Sequence, residues 1–487
     1  MNLKKLLHYV IILACPIVTY IFPTPEGLSV LGWHILGVYI GTILALIIKP
    51  FPAPPLLLAA VAISAIIIGN TPAEVLADGT KIAVKQGAVL DGYKSGTTWL
   101  VFAAFSMSAA FVQTGLGRRI AYKMIGAFGS TTLRLGYVNA MLDLLISPAM
   151  PSTTARGGGI LAPIMQSIAV SLGSEPETSP RKAGHYLLLN TYMVVKTTGF
   201  IFLTAMAPNA VALELMRPIL NIDVSWTQWF IAASVPGLLT LLLLPFVTYV
   251  LYKPELKNVD NKTIAREGLE AMGPMTAKEK MLAGVFISAV LGWVFSKQLN
   301  LSEFTVAIAA MAAIVITSVL SWDDVLKNKG GWTTLTWYGG LLGIAAVLSQ
   351  AKFFVWLSTT MSQLVPSDLG SPTVVTILIL VLSILARYVF ASGAAYVASM
   401  VPVFCAVGMA AGADPIFLAF GLLFSNSYGS MVTHYASAPA AVIYGLGYHD
   451  VKSFWITGGV CALVTLLIQV TVGFGWWSML QSMGILG

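Results

Sequence analysis

A few ionisable side chains stand inside long apolar stretches of this sequence: Asp143, Arg156, Lys196, Arg387 and His434. Charged groups in such surroundings are costly and mark ligand or ion paths. Arg156 belongs to PSTTARGGGILAP, residues 151–163, where hydroxyls, glycines and prolines replace side chains that fill a core. His434 follows Thr433 in MVTHYASAPAAVIYG, residues 431–445. A helix that starts inside an apolar region presents unpaired N–H groups and a partial positive charge. Glycine and serine let a ligand approach that backbone closely. The hydroxyls of Ser152, Thr153, Thr154, Thr204, Ser392 and Thr433 add donors. This is chemistry for an anion, as at phosphate sites on helix N-termini. Arg156 and His434, one in each half of the chain, are expected to add fixed positive charge. The competing reading of Arg156 is that it pairs with Asp143 or reaches the cytoplasmic face.

The elements that position these residues are membrane elements. The chain has 487 residues, of which 57% are hydrophobic and 10% charged, against about 25% charged in soluble domains. Apolar runs such as 28–48, 229–252 and 454–472 are long enough to span a bilayer. The first run, His8 to Phe22, lacks an A-x-A cleavage site and reads as a retained helix. The net charge of +7 comes from basic residues in short loops. Lys4, Lys5, Lys49, Arg118, Arg119, Lys123, Arg181 and Lys182 mark the cytoplasmic side, not a nucleic-acid surface. Cys15, Cys405 and Cys461 have no metal or disulfide spacing. No G-x-x-x-x-G-K-[ST], H-E-x-x-H or G-x-S-x-G occurs, so neither ATP coupling nor soluble-type hydrolysis is expected. No enzyme activity, cofactor or metal is expected.

Three landmarks recur in the same order. TTWLVFAAFSMSAAFVQ matches LTWYGGLLGIAAVLSQ, PSTTAR matches ASGAAY, and FLTAMAPNAVALEL matches MVTHYASAPAAVIYG. Trp99 precedes Ser152 by 53 residues and Trp337 precedes Ser392 by 55. The expected organisation is a first helix at 1–27, a repeat at 28–251, a cytoplasmic linker or surface helix at 252–280 and a second, inverted repeat at 281–487. Re-entrant hairpins are expected at 139–172 and 381–411, and broken helices at 186–216 and 419–446. The breaks fall at Thr204–Asn209 and Thr433–Pro439. Inverted repeats with interrupted helices are the signature of secondary transporters. Irregular backbone at membrane depth must be buried in protein or line a cavity, so the tips should share one cavity. Two tips give two anion half-sites, which a dicarboxylate would fill. A channel is the rival class, but the tips do not form a ring of repeated ligands.

PSTTARGGGILAPI, FLTAMAPNAVA and SNSYGSMVTHYASAPAAVIYGLGY resemble the divalent anion/sodium symporter family, the INDY-type dicarboxylate transporters. The resemblance is strongest to the bacterial citrate/succinate and 2-oxoglutarate/malate antiporters and covers nearly the whole chain. It implies an all-α polytopic homodimer with eleven helices and two opposed hairpins. Each protomer would have a scaffold and a transport domain that moves like an elevator. In sodium-coupled members each tip carries Ser-Asn-Thr, which binds substrate carboxylates beside a sodium ion. Here the tips are Ser152-Thr153-Thr154 and Ser392-Gly393-Ala394, and both asparagines are absent. This departure argues for sodium-independent antiport, with Arg156 and His434 standing in for the two ions.

The expected substrate contacts are Ser152, Thr153, Thr154, Ser392, Gly393 and Ala394. Thr204, Pro208, Asn209, Thr433 and Pro439 would shape the breaks beside them, with Ser425 and Asn426 near the second. The expected substrates are 2-oxoglutarate, malate, succinate and fumarate. Sodium- or proton-coupled uptake, and citrate or tartrate as substrate, are the alternatives. The protein is placed in the cytoplasmic membrane with its N-terminus inside and its C-terminus outside.

Overall fold

The computed structural model describes residues 3–364 and 370–486. Met1, Asn2 and Gly487, at the outer limits of the expected first helix and second repeat, lie outside it. So do residues 365–369 and the side chains of Lys4 and Lys5. The described chain is almost wholly helical, with one short strand pair, Glu74–Val75 with Lys81–Ile82. Among the described residues, seven helices are long and apolar enough to cross a membrane, and up to eight if one bent pair forms a single span. That pair, Lys329–Gln350 and Phe353–Leu364, meets at 67°, where Lys352 takes a left-handed conformation.

Shorter pieces fill the regions that carry the polar tips. The first hairpin rises through Thr132–Ile146, turns at Ser147–Ala149 and returns from Thr153 to Ser171. The second rises through Pro372–Ala386, turns at Arg387–Val389 and returns through Gly393–Ala410. Proline and extended backbone make the first turn: Pro148 opens it, and Met150 and Ser152 are extended. At the second, Phe390 and Ser392 are extended. One broken helix consists of Gly184–Ile201 and Ala207–Leu220, with Pro208 in the first turn of the second piece. The other consists of Pro415–Tyr428 and Ala438–Tyr444, with Pro439 in the same place. Proline is tolerated there because it lacks only an N–H that the first turn leaves unpaired.

Every residue of Gly184–Ile201 is buried. This helix is the axle of the molecule. It packs against the first hairpin, the long helix Trp226–Leu251 and both pieces of the other broken helix. The return arm of each hairpin packs on the second piece of the broken helix from the other half of the chain: Gly393–Ala410 on Ala207–Leu220, and Thr153–Arg156 on Ala438–Tyr444.

The linker holds an amphipathic helix, Asn261–Met272. The next helix already begins at Ala277, inside the expected linker, because Thr276 and Glu279 form a capping box. The linker is clasped to the first half. Arg119 donates to both Glu279 carboxylate oxygens at 2.6 and 3.2 Å and to the Gly273 and Pro274 carbonyls. Both side chains of this ion pair are buried. Removing one partner of a buried pair strands the other charge at a cost of about 3–5 kcal/mol. Arg119→Ala should therefore lower the thermal midpoint of the purified protein by several degrees, whereas Arg119→Met with Glu279→Met should recover most of the loss. A single variant as stable as the parent would show that the clasp contributes nothing.

Candidate anion-binding site

Both hairpin tips are capped in the same way. Ser152 Oγ accepts from the Ala155 N–H at 3.1 Å, and Ser392 Oγ accepts from the Ala395 N–H at 3.3 Å. The oxygens thus serve their own helices, while the hydroxyl hydrogens and the remaining first-turn N–H groups are left for a ligand. Thr154, Ser392, Gly393 and Ala394 are half-buried, and Thr153 is buried. Ser392 and Ala394 line a cavity of about 430 Å³ with Lys49, Thr333 and Trp337.

The PSTTAR run continues into a widened helical turn at Gly157–Leu161, where the Ala162 N–H reaches the Gly157 carbonyl. Its glycines permit close packing. A Cβ on Gly157 would lie 3.2 Å from Val195 and 3.7 Å from Pro439, and one on Gly158 would lie 3.0 Å from Val442. At the second tip, a Cβ on Gly393 would lie 3.7 Å from Pro208. Each tip therefore abuts the break of the opposite half.

Each tip is also tied to the break of its own half by a guanidinium. Arg156 donates to the Met150 carbonyl at the first tip and to the Ala205 carbonyl at the first break. The Ala207 N–H, donating to the Pro151 carbonyl at 3.0 Å, makes a second link. Arg387 donates to the Ser392 carbonyl at 3.4 Å and to the Ala436 carbonyl, at the second break, at 3.1 Å. Its guanidinium lies 4.8 Å above the Tyr396 ring, and its Nε is buried without a partner. Broken helices leave carbonyls unpaired, and guanidinium is the side chain with enough donors to bridge several at once.

The expected cations are disposed unevenly. Arg156 is fully buried, and its Nε donates to Asp143 at 2.9 Å. Thr198 donates to the other Asp143 oxygen and accepts from Arg156 Nη2 at 3.3 Å. Its charge is thus met by a carboxylate, as in the competing reading of the sequence. His434 accepts at Nδ1 from the indole N–H of Trp455, at 2.9 Å. In the second half, the guanidinium that ties the tip to the break is Arg387. The sequence flagged Arg387 as a charged group but gave it no role, since its carbonyl partners lie five and 49 positions away.

The other expected residues fall on the two breaks. Thr204 accepts from the Trp226 indole at 3.1 Å. Asn209 Nδ2 donates to the Gly199 and Phe202 carbonyls at 2.7 and 3.2 Å and so stitches the first break. Asn209 Oδ1, both amide atoms of Asn426 and Thr433 Oγ1 are buried without partners. Ser425 is bonded to Ser383 at 3.1 Å, which is bonded to Tyr396 at 2.6 Å. Tyr192, Thr198, Ser383 and Tyr396 were not expected, because an isolated hydroxyl on an apolar helix carries no local signal.

A family model described as the sodium:sulfate symporter transmembrane region matches residues 3–483. The chain belongs to this family, the divalent anion/sodium symporters. Among its relatives, inner membrane protein YbhI of Escherichia coli is 52% identical and covers 99% of both chains. A putative malate transporter, YflS of Bacillus subtilis, is 36% identical over 98% of this chain and 97% of its own. An L-tartrate/succinate antiporter of Escherichia coli is 32% identical over 96% and 97%. The YdaH transporter of Alcanivorax borkumensis, at 13% identity, shares the fold with a TM-score of 0.58 over 92% of this chain and 98% of its own. The protein is a multi-pass membrane transporter of a dicarboxylate-transporting family, not a catalyst.

Loss of the Asp143 carboxylate would leave Arg156 buried and uncompensated, at a cost of about 3–5 kcal/mol. Asp143→Ala should lower the thermal midpoint by several degrees, and Asp143→Ala with Arg156→Met should regain much of it. A change below one degree in Asp143→Ala would show that the pair does not hold the first tip.

Proposed function

We propose that this protein exchanges one dicarboxylate for another, without sodium, across the cytoplasmic membrane. The substrates are C4 and C5 dianions, among them 2-oxoglutarate, malate, succinate and fumarate. Their carboxylates meet the tips at Ser152, Thr153, Thr154, Ser392, Gly393 and Ala394. Asn209, Asn426 and Thr433 supply further polar atoms, and Thr204, Pro208, Pro439 and Ser425 shape the walls. The observation that carries the reading is the pair of guanidinium bridges. At each tip a built-in cation engages the main-chain carbonyls among which a passenger cation would otherwise be held. The relatives named for malate transport and for tartrate/succinate antiport support the substrate class and the exchange.

The exchange follows from charge. Arg387 has no carboxylate partner among the described residues. Carrying one uncompensated charge through the bilayer costs about 2.5–3.5 kcal/mol. That slows return of an empty carrier on the order of a hundredfold, at ~1.4 kcal/mol per factor of ten. A loaded carrier escapes the cost when the two negative charges of its substrate meet Arg387 and Lys196, neither of which has a carboxylate partner among the described residues. We place the hairpins and broken helices in a mobile domain of a homodimer. They would form an inverted repeat of about eleven spans moving as an elevator, with the N-terminus cytoplasmic and the C-terminus external. Sodium-coupled uptake is the second reading, and the description of the family model favours it.

Counterflow in proteoliposomes separates the two. Labelled succinate should enter vesicles loaded with succinate or 2-oxoglutarate, enter empty vesicles at least tenfold more slowly, and ignore sodium. Sodium-dependent uptake into empty vesicles would refute the exchanger. Arg387→Gln should cut exchange at least tenfold; an unchanged rate would remove the bridge from the mechanism.

A further inference from the structure

One intramembrane cation has neither a carboxylate nor carbonyls. Lys196 lies on the buried helix Gly184–Ile201 and is only 2% exposed. Among the described residues its Nζ makes no ion pair and no hydrogen bond. The interaction it does make is with the Tyr192 ring, 5.8 Å away. Besides its burial, the charges of Arg387 and Arg156, both of its own sign, act against its ammonium. An ammonium on a buried helix, without an acceptor and with two guanidiniums acting on it, is strongly unfavourable.

Its surroundings place it between the two half-sites. Tyr192, Lys196 and Gly199 share one helical face by their spacing. Tyr192 donates to the Ser430 carbonyl at 2.5 Å and bonds the Ser437 hydroxyl at 3.0 Å, both at the second break. A Cβ on Gly199 would lie 3.7 Å from Thr153 at the first tip and 2.6 Å from Ser427 Oγ. Ser427 Oγ donates to the Lys196 carbonyl at 2.6 Å, which locks the helix against the other broken helix. Lys196 therefore stands where the first tip and the second break meet, within the field of the arginine that holds the second tip.

We propose that Lys196 is a substrate-binding residue whose ammonium takes one carboxylate of the bound dianion. The proposal rests on the dicarboxylate reading above. The charge count favours it: Arg156, Lys196 and Arg387, less Asp143, leave two positive charges, and a dicarboxylate brings two negative ones. A monocarboxylate leaves one cation unmatched. Lys196 thus makes the site selective for dianions, and its lack of a partner destabilises the empty carrier relative to the loaded one.

The test uses the full chain purified in detergent and in proteoliposomes, as wild type, Lys196→Met and Lys196→Arg, with Lys196→Gln in place of the Met variant if that does not fold. Thermal midpoints are read with and without succinate, and KM is read by counterflow with succinate and with butyrate as competitor. The Met variant should have a higher ligand-free midpoint than wild type and less than half its succinate-induced shift. Its succinate KM should rise at least thirtyfold, and its preference for succinate over butyrate should fall at least tenfold. The Arg variant should keep most of both. A Met variant with KM, succinate shift and selectivity within twofold of wild type would overturn the proposal. If wild type ignores dicarboxylates but is stabilised by sulfate or citrate, the dicarboxylate reading fails. The Met variant's response to that anion then decides Lys196, with a lost shift upholding it and a retained shift overturning it.

Discussion

The structure depends on how main-chain carbonyls are satisfied where helices stop inside the apolar interior. Water is absent there, and an unpaired carbonyl is expensive. Two hairpin turns and two helix breaks bring several such carbonyls together. Arg156 collects Met150 and Ala205, and Arg387 collects Ser392 and Ala436. Each guanidinium closes a junction between a tip and a break that neither element could close alone.

That solution fixes the electrostatics of the centre. Arg156 is compensated by Asp143, and Thr198 holds the carboxylate in place. Arg387 is spread over carbonyls and the Tyr396 ring, which disperses its charge without cancelling it. Lys196 has the Tyr192 ring, 5.8 Å away, but no carbonyl or carboxylate among the described residues. In the proposed exchanger, the anionic substrate meets the positive charge that these side chains leave unpaired. His434 accepts from the Trp455 indole at Nδ1, at the second break.

Much of the architecture was legible in the sequence. Pro208 and Pro439 fall in the first turn of the second piece of each broken helix. Ser152 and Ser392 have the residue type and position of helix caps, and both are caps. The start of the helix after the linker was missed by a few residues, because Thr276 and Glu279 cap it within a polar stretch that reads as loop. In the site, the tip and break residues were legible because small and polar side chains stand out against an apolar background. Arg387, Tyr396 and Tyr192 were not given roles, because their partners are carbonyls and hydroxyls that leave no pattern in composition.

The sequence by itself determined that the chain lives in a bilayer, that its centre is polar and cationic, and where its helices must break. Those properties follow from local composition and from the conformational limits of proline, glycine and serine. Only the tertiary structure decided which cation is paired with a carboxylate and which is not. Asp143 and Arg156 are 13 residues apart, and nothing local obliges them to meet. Compensation of charge is a matter of distance in three dimensions, and packing around one fully buried helix set those distances.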